Sequence, residues 1–220
     1  MRAKPEVPWS EIDTVLVDMD GTLLDLAFDN YFWLELVPSR YARLNRISEQ
    51  QARDDLKQRY DSIAGSLSWY CIDHWTSELG LDICALKLQH KHLIRYLPMV
   101  PEFLLSVRRR GKRLILVTNA HRVTLSLKTA QTGLDEYVDA LISSHDLNAA
   151  KESQSFWRAL TQREPFDPQR SLLIEDSVPV LTAAREFGLR HVIAVRCPDS
   201  SQQARRVDGF ETINGVAELI

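Results

Sequence analysis

The sequence predicts an α/β protein: a doubly wound parallel sheet carrying an inserted α-helical cap. Three observations predict it. Five short apolar, β-branched segments, 14–18, 113–118, 140–143, 171–175 and 191–196, recur along the chain, and helical patterns separate the last four; such alternation builds parallel sheets. Gly111, Gly133 and Gly188 each stand where a helical pattern stops, the position that calls for a left-handed residue. Between the first two strands, most of 26–112 intervenes, where a single crossover helix needs only about a dozen residues.

The elements follow in order. Thr14-Val15-Leu16-Val17 is apolar throughout and is closed by Asp18-Met19-Asp20-Gly21-Thr22, so it reads as a strand buried on both faces. The stretch 29–95 has no strand pattern and reads as several amphipathic helices. Within it Ser48-Glu49-Gln50-Gln51 has the form of a capping box, with Ser48 at the N-cap and Gln51 reaching back. The aromatic-rich segment 68–79 ends at Gly80, and Asp82 is placed to cap a helix running through Leu93. Pro98 and Pro101 mark the return to the sheet. Helices are then expected over 100–110, 123–132, 154–162 and 178–187. The organisation is therefore a core of 1–28 and 96–220, with 29–95 as the inserted cap. Tyr31, Phe32, Trp33, Tyr60, Trp69, Tyr70 and Trp75 are concentrated in the insert. Most are expected to fill its interior, with one or two facing the core.

Composition narrows the function. The 220 residues carry 45% hydrophobic residues, 27 Lys+Arg and 30 Asp+Glu, for a formal net charge of -3. That balance argues against binding a nucleic-acid polymer, whose affinity rests on phosphate neutralisation. Arg108-Arg109-Arg110 precedes Gly111 and reads as cations complementing a helix C-terminus. Cys71, Cys84 and Cys197 are scattered without metal-ligand or redox spacing, which fits a reduced, cytoplasmic compartment. The start, Met1-Arg2-Ala3-Lys4-Pro5-Glu6, lacks the apolar core of a signal peptide. No apolar run approaches the length of a membrane helix. His74, His90, His92, His145 and His191 share no spacing and are given no metal role, and Asp25 is expected to order the loop into the cap.

The chemistry begins at the end of the first strand. Asp18 and Asp20 emerge together at the C-terminal edge of the predicted sheet, the edge where open α/β sheets bind ligands. Carboxylates that close repel each other, so a hard, oxygen-seeking divalent cation is expected among them. Gly21 lets the backbone turn tightly and approach a phosphate. Thr22 offers a hydroxyl to the loop or to Asp20.

Four motifs in order resemble the haloacid dehalogenase superfamily of phosphohydrolases: Asp18-Met19-Asp20-Gly21-Thr22-Leu23-Leu24-Asp25, then Thr118-Asn119, Lys151, and Glu175-Asp176-Ser177. The resemblance implies a Rossmann-like core and a Mg²⁺-dependent phosphomonoesterase working through an aspartyl-phosphate. It implies Asp18 as nucleophile and Asp20 as general acid and base, the latter with its backbone carbonyl toward the metal. Gly21, Thr118, Asn119 and Lys151 would bind the phosphoryl group. The metal set would be Asp18, Asp20 and Asp176, with Glu175 acting through a bound water. Glu175-Asp176 stands where many members carry two aspartates, and is familiar in the superfamily's sugar-phosphate mutases. The segments Asp25-Leu26-Ala27-Phe28-Asp29-Asn30-Tyr31-Phe32-Trp33, Trp69-Tyr70-Cys71 and Thr118-Asn119-Ala120-His121 look like the bacterial GMP/IMP nucleotidase branch. That likeness implies a purine 5′-mononucleotide substrate, with a sugar-phosphate phosphatase or β-phosphoglucomutase-like phosphotransferase as the alternative. His121 follows the second motif closely enough to touch substrate, the alternative being a surface histidine at a helix start. The sequence carries no signal for a monomer or a homodimer.

Overall fold

The structure is a computed structural model and describes residues 6–220; the expectation for Met1 to Pro5 lies outside these. In chain order the regular elements are β1 (Thr14–Val17), α1 (Ala27–Tyr31), α2 (Val37–Asn45), α3 (Glu49–Ile63), α4 (Ile72–Leu79), α5 (Ile83–Gln89), α6 (Val100–Arg109), β2 (Arg113–Thr118), α7 (Arg122–Thr132), β3 (Ala140–Ser143), α8 (Gln154–Arg163), β4 (Ser171–Glu175), α9 (Val178–Phe187), β5 (His191–Val195) and β6 (Glu211–Ile213). The six strands form one sheet in the order β3-β2-β1-β4-β5-β6, and every pairing is parallel. This is the predicted doubly wound α/β sheet, with one strand more than expected. β6 has three residues and a half-exposed pattern. So short an edge strand carries no periodicity to read.

The sheet is covered on both faces. One apolar cluster joins Val15, Val17, Leu114, Leu116, Leu172 and Ile174 to α6 residues such as Phe103 and Val107. The other joins Leu16, Ile115, Val117 and Leu173 to Phe156, Trp157 and Leu181 of α8 and α9. Alternate residues of each central strand thus point to opposite layers, which is why those strands read as unbroken apolar runs.

Between Leu26 and Ile94 all regular structure is helical, and a third apolar cluster (Phe32, Val37, Leu56, Trp75, Leu79 and Ile83 among others) lies inside it. The Ser48–Gln51 capping box forms, with Ser48 Oγ accepting from the Gln51 N–H and Gln51 Oε1 accepting from the Ser48 N–H. α4 ends at Gly80 with φ 64°. Asp82 caps α5, but that helix ends at Gln89, and a 3-10 turn, Lys91–Leu93, completes the expected stretch. From α1 the chain passes through a π-helical turn, Phe32–Leu36, into α2. The widened turn ends two residues before Pro38, which has no N–H to give the ladder.

The two connections into this block run side by side. Leu24 pairs antiparallel with Tyr96, and the Asp25 N–H donates to Arg95 O at 2.9 Å. The buried Asp25 carboxylate accepts from Arg95 Nε at 3.0 Å, from the Ala27 N–H at 3.1 Å and from Ser200 Oγ at 2.6 Å. It therefore ties both connections to the loop after β5, the ordering role expected of it.

Candidate active site

β1, β2 and β4 lie in register, Val17 beside Leu116 and Ile174, so their next residues reach the same edge together. There Asp18 and Glu175 are buried. Lys151, in the loop after β3, is 2% exposed. Its Nζ donates to Asp18 Oδ1 at 2.5 Å, to Glu175 Oε2 at 2.7 Å and to Val117 O at 3.1 Å. One lysine thus bridges two strand ends. Asp18, Glu175 and Asp176 each offer a carboxylate oxygen within 4.8 Å of the others.

The electrostatics follow from that count: three carboxylates face one buried lysine. Burial, then the Glu175 charge, pushes the Asp18 carboxyl up to about 8. Burial does the same to Glu175, up to about 7, and to Asp176, up to about 6, against the pull of Lys151. Lys151 is held above the ordinary lysine range, the two acids outweighing its desolvation. Arg205 reaches Asp176 from the rim, its Nη2 3.4 Å from Oδ2. Glu175 is already committed: Oε1 accepts from the Asp176 and Ser177 N–H groups, at 3.0 and 2.9 Å, while Oε2 takes Lys151. All-oxygen donors with surplus negative charge suit a hard divalent cation.

Most of the other expected residues have definite partners. The Asp20 carboxylate does not join this acidic group. Its Oδ1 accepts from Lys128 Nζ at 2.6 Å, and it lines the same cavity as Asp18. The Asn119 side chain has a partner on each of its amide atoms. Its Oδ1 accepts the Lys151 N–H and its Nδ2 donates to Glu152 Oε2, both at 3.0 Å, so it shapes the lysine loop. Thr22 Oγ1 is buried without a partner among the described residues, rather than serving Asp20. Gly21 does turn tightly, with φ +85°, but its lack of a side chain also serves Asp176: a Cβ there would lie 2.9 Å from the Asp176 carboxylate. Thr118 is placed as expected. It is buried at the end of β2 and accepts from the Ala120 N–H at 3.0 Å, which leaves its own O–H to donate. His121 N-caps α7 and also lines the cavity.

Sequence reasoning missed a second charged group. Lys128, 1% exposed, donates to Asp20 and, at 2.5 Å, to Asp29 of α1. Lys87 of α5, also buried, donates to the other Asp29 oxygen at 3.0 Å. Its Nζ lies 4.3 Å from the Phe32 ring centroid and 5.1 Å from that of Phe28, a cation–π setting. Burial alone would raise Asp29, but Lys128 and Lys87 outweigh it and bring the carboxyl down to about 2. Asp20 is raised, by burial and by the Asp29 charge against Lys128. The signal was present in the helical patterns: Lys128 follows Leu125 by three and Lys87 follows Ile83 by four, which sets both lysines on apolar stripes.

A cavity of about 360 Å³ opens above both groups, within the range of small-molecule sites. Its floor includes Asp18, Asp20, Thr118 and Lys151, and its far wall Trp33, Tyr60, Trp69, Tyr70 and Trp75. Trp33, Tyr60 and Trp75 interlock edge to face, with centroids 4.8–6.2 Å apart. Tyr70 Oη donates to Glu152 Oε1 at 2.5 Å. Trp69 is 37% exposed. Tyr60 Oη is buried without a partner among the described residues.

Residues 12–188 match the family described as haloacid dehalogenase-like hydrolase. The chain belongs to that family. It is 40% identical over 216 residues to the GMP/IMP nucleotidase YrfG of Escherichia coli (strain K12), a match covering 97% of this chain and 96% of that protein. The Shigella flexneri protein of the same name matches equally. Among solved structures, a HAD phosphatase from Thermococcus onnurineus superposes with a TM-score of 0.78 at 23% identity, covering 94% of this chain and 96% of the other. A putative β-phosphoglucomutase from Thermotoga maritima gives 0.66 at 16% identity over the same shares. These two show the shared fold. Among the described residues no helix is long and apolar enough to cross a membrane.

Proposed function

We propose that this hydrolase is a Mg²⁺-dependent phosphomonoesterase acting on purine 5′-mononucleotides, with GMP and IMP as its substrates. The observation that carries the chemistry is the Asp18 carboxylate, fixed by Lys151 at 2.5 Å on the floor of an aromatic-walled cavity. Asp18 and Asp176 would hold the metal ion, with Glu175 orienting Asp176 and Lys151. When bound, the ion supplies the positive charge that keeps Asp18 ionised and neutralises the phosphate.

In the first step an Asp18 oxygen attacks phosphorus and the P–O5′ bond breaks. The proton for the leaving oxygen comes from Asp20, whose carboxyl is raised by burial and by the Asp29 charge while Lys128 and Lys87 hold Asp29 low; opposed shifts in adjacent carboxyls are how acid and base roles are divided. In the second step Asp20 takes a proton from water, the water oxygen attacks phosphorus, and the bond to Asp18 breaks. Thr118 donates its hydroxyl to a phosphoryl oxygen, and Lys151 balances its charge.

Residues 29–95 serve as the cap, and exclude bulk water over the reacting group. The base stacks against the aromatic wall, Trp69 being the exposed ring, and Tyr60 Oη offers a polar partner for its edge. The 40% identity to a GMP/IMP nucleotidase supports this substrate class. The three free cysteines support a cytoplasmic location. The test is a panel of GMP, IMP, AMP, phosphoglycolate and hexose phosphates with Mg²⁺. Preference for GMP and IMP is expected. Turnover of phosphosugars without GMP or IMP turnover, or label passed to a second sugar instead of water, overturns the reading.

A further inference from the structure

Three donors from distant parts of the chain meet where the helical cap faces the core. Cys71 sits at the N-cap of α4, His121 caps α7, and His145 lies in the 3-10 turn Ser144–Asp146 after β3. One ligand atom of each lies within 4.8 Å of those of the other two. Spacing along the sequence gave His145 no metal role and set His121 near the substrate; the fold brings the two together. The two rings stand edge to face with centroids 4.8 Å apart. Cys71 is a free, half-buried thiol. His145 Nε2 is buried with no hydrogen-bond partner among the described residues, an arrangement that calls for one. Asp73 Oδ2, 3.7 Å from His121 Nε2, supplies a fourth donor at the open side.

We propose that Cys71, His121 and His145 form a second metal site, for a thiophilic divalent transition ion such as Zn²⁺, that clips the cap to the core. One thiolate and two imidazoles are the donors zinc and cobalt prefer, whereas Mg²⁺ takes oxygen. The donor set is therefore chemically separate from Asp18, Glu175 and Asp176. Burial, then the neighbouring His121, holds the His145 ring below the ordinary imidazole range, in the neutral form that ligates. Because Cys71 belongs to the cap and both histidines to the core, the ion binds only the closed arrangement. It stabilises that arrangement by mass action and slows reopening after turnover. The site stands whether or not the substrate is a purine nucleotide.

The experiment titrates Co²⁺ and Zn²⁺ into the Mg²⁺-saturated protein and into Cys71→Ser and His145→Gln variants. One equivalent of Co²⁺ should produce a thiolate-to-cobalt charge-transfer band that Zn²⁺ abolishes. Both variants should lose the band and bind Zn²⁺ about 100-fold more weakly, with Mg²⁺-dependent turnover retained. Zn²⁺ should lower kcat in the unaltered protein and not in the variants. A measurement free of substitution accompanies this: Zn²⁺ should protect Cys71, but not Cys84 or Cys197, from alkylation. Absence of the charge-transfer band, equal Zn²⁺ affinity in Cys71→Ser, or unprotected Cys71 overturns the site. Equal Zn²⁺ inhibition of all three proteins overturns the clip.

Discussion

Two buried lysines, Lys151 and Lys128, each bridge two carboxylates in the same cavity, yet their surroundings differ. Lys151 faces Asp18 and Glu175 with Asp176 beside them, and all three acids are pushed up, to about 8, 7 and 6. Lys128 faces Asp20 and Asp29, but Lys87 adds a second cation, and Asp29 falls to about 2. The second group has two cations for its two carboxyls. The first has more negative charge than the protein neutralises. An incomplete charge set at a sheet edge invites a bound cation, whereas a matched set holds its own members in place. The same residue types thus do different work according to the local count of charges.

The largest effect tests the incomplete group. Asp18→Asn is expected to lower kcat by at least about 10⁴-fold while the circular dichroism spectrum stays that of the parent; retained turnover breaks the assignment. Lys151→Met should cost about 10²–10³-fold in kcat. It should also lower thermal stability, since it leaves Asp18 and Glu175 buried without a cation. The same variant measured with saturating Mg²⁺ should recover stability more than activity.

The pH dependence of stability separates the two groups. Asp18, Glu175 and Asp176 have folded-state pKa values above those of the unfolded chain, so the folded state binds more protons between about pH 4 and 8. Metal-free protein should therefore lose stability as pH rises through that window, and Mg²⁺ should flatten the slope. Asp29 has the opposite sign. Its contribution is present above pH 4 and is lost only as pH falls toward 2, with or without Mg²⁺. A Tm series at several pH values, with EDTA and with Mg²⁺, shows both; a metal-independent slope contradicts the distinction.

Smaller effects sharpen the positioning role. Lys128→Met removes the cation that holds Asp20 down, so Asp20 should titrate at higher pH. The high-pH limb of kcat should move upward, with kcat at pH 7 changed about tenfold. A uniform loss of activity with an unmoved profile would mean that Lys128 only supports the fold. Trp69→Ala should raise KM for GMP about tenfold through lost base stacking, with kcat near that of the parent. An unchanged KM would move the base to another part of the wall.

Much of the sheet was legible because its central strands are buried on both faces and so appear as unbroken apolar runs, β1 and β4 ending abruptly in carboxylates. The helix ends were legible through Gly80, Gly133 and Gly188, all found with positive φ. The helical character of the stretch between β1 and β2 was legible from its lack of strand pattern. What was hidden is what the third dimension decides. Asp20 lies two residues from Asp18, yet the turn at Gly21 sends it to Lys128. The Asn119 side chain also holds the Lys151 loop and Glu152, contacts that no spacing announces. Cys71, His121 and His145 share no spacing because their proximity is made by three different loops. Lys87 and Lys128 could have been suspected, since a lysine on an apolar helical stripe must find buried anions.

The most direct test is to trap the covalent intermediate. The Asp20→Asn variant is mixed with Mg²⁺ and p-nitrophenyl phosphate, whose leaving group needs no proton, then quenched in acid and digested. A phosphoryl group on the peptide bearing Asp18, absent when EDTA replaces Mg²⁺, is the predicted result. Burst release of nitrophenol without that peptide adduct, or an adduct at another residue, contradicts the account.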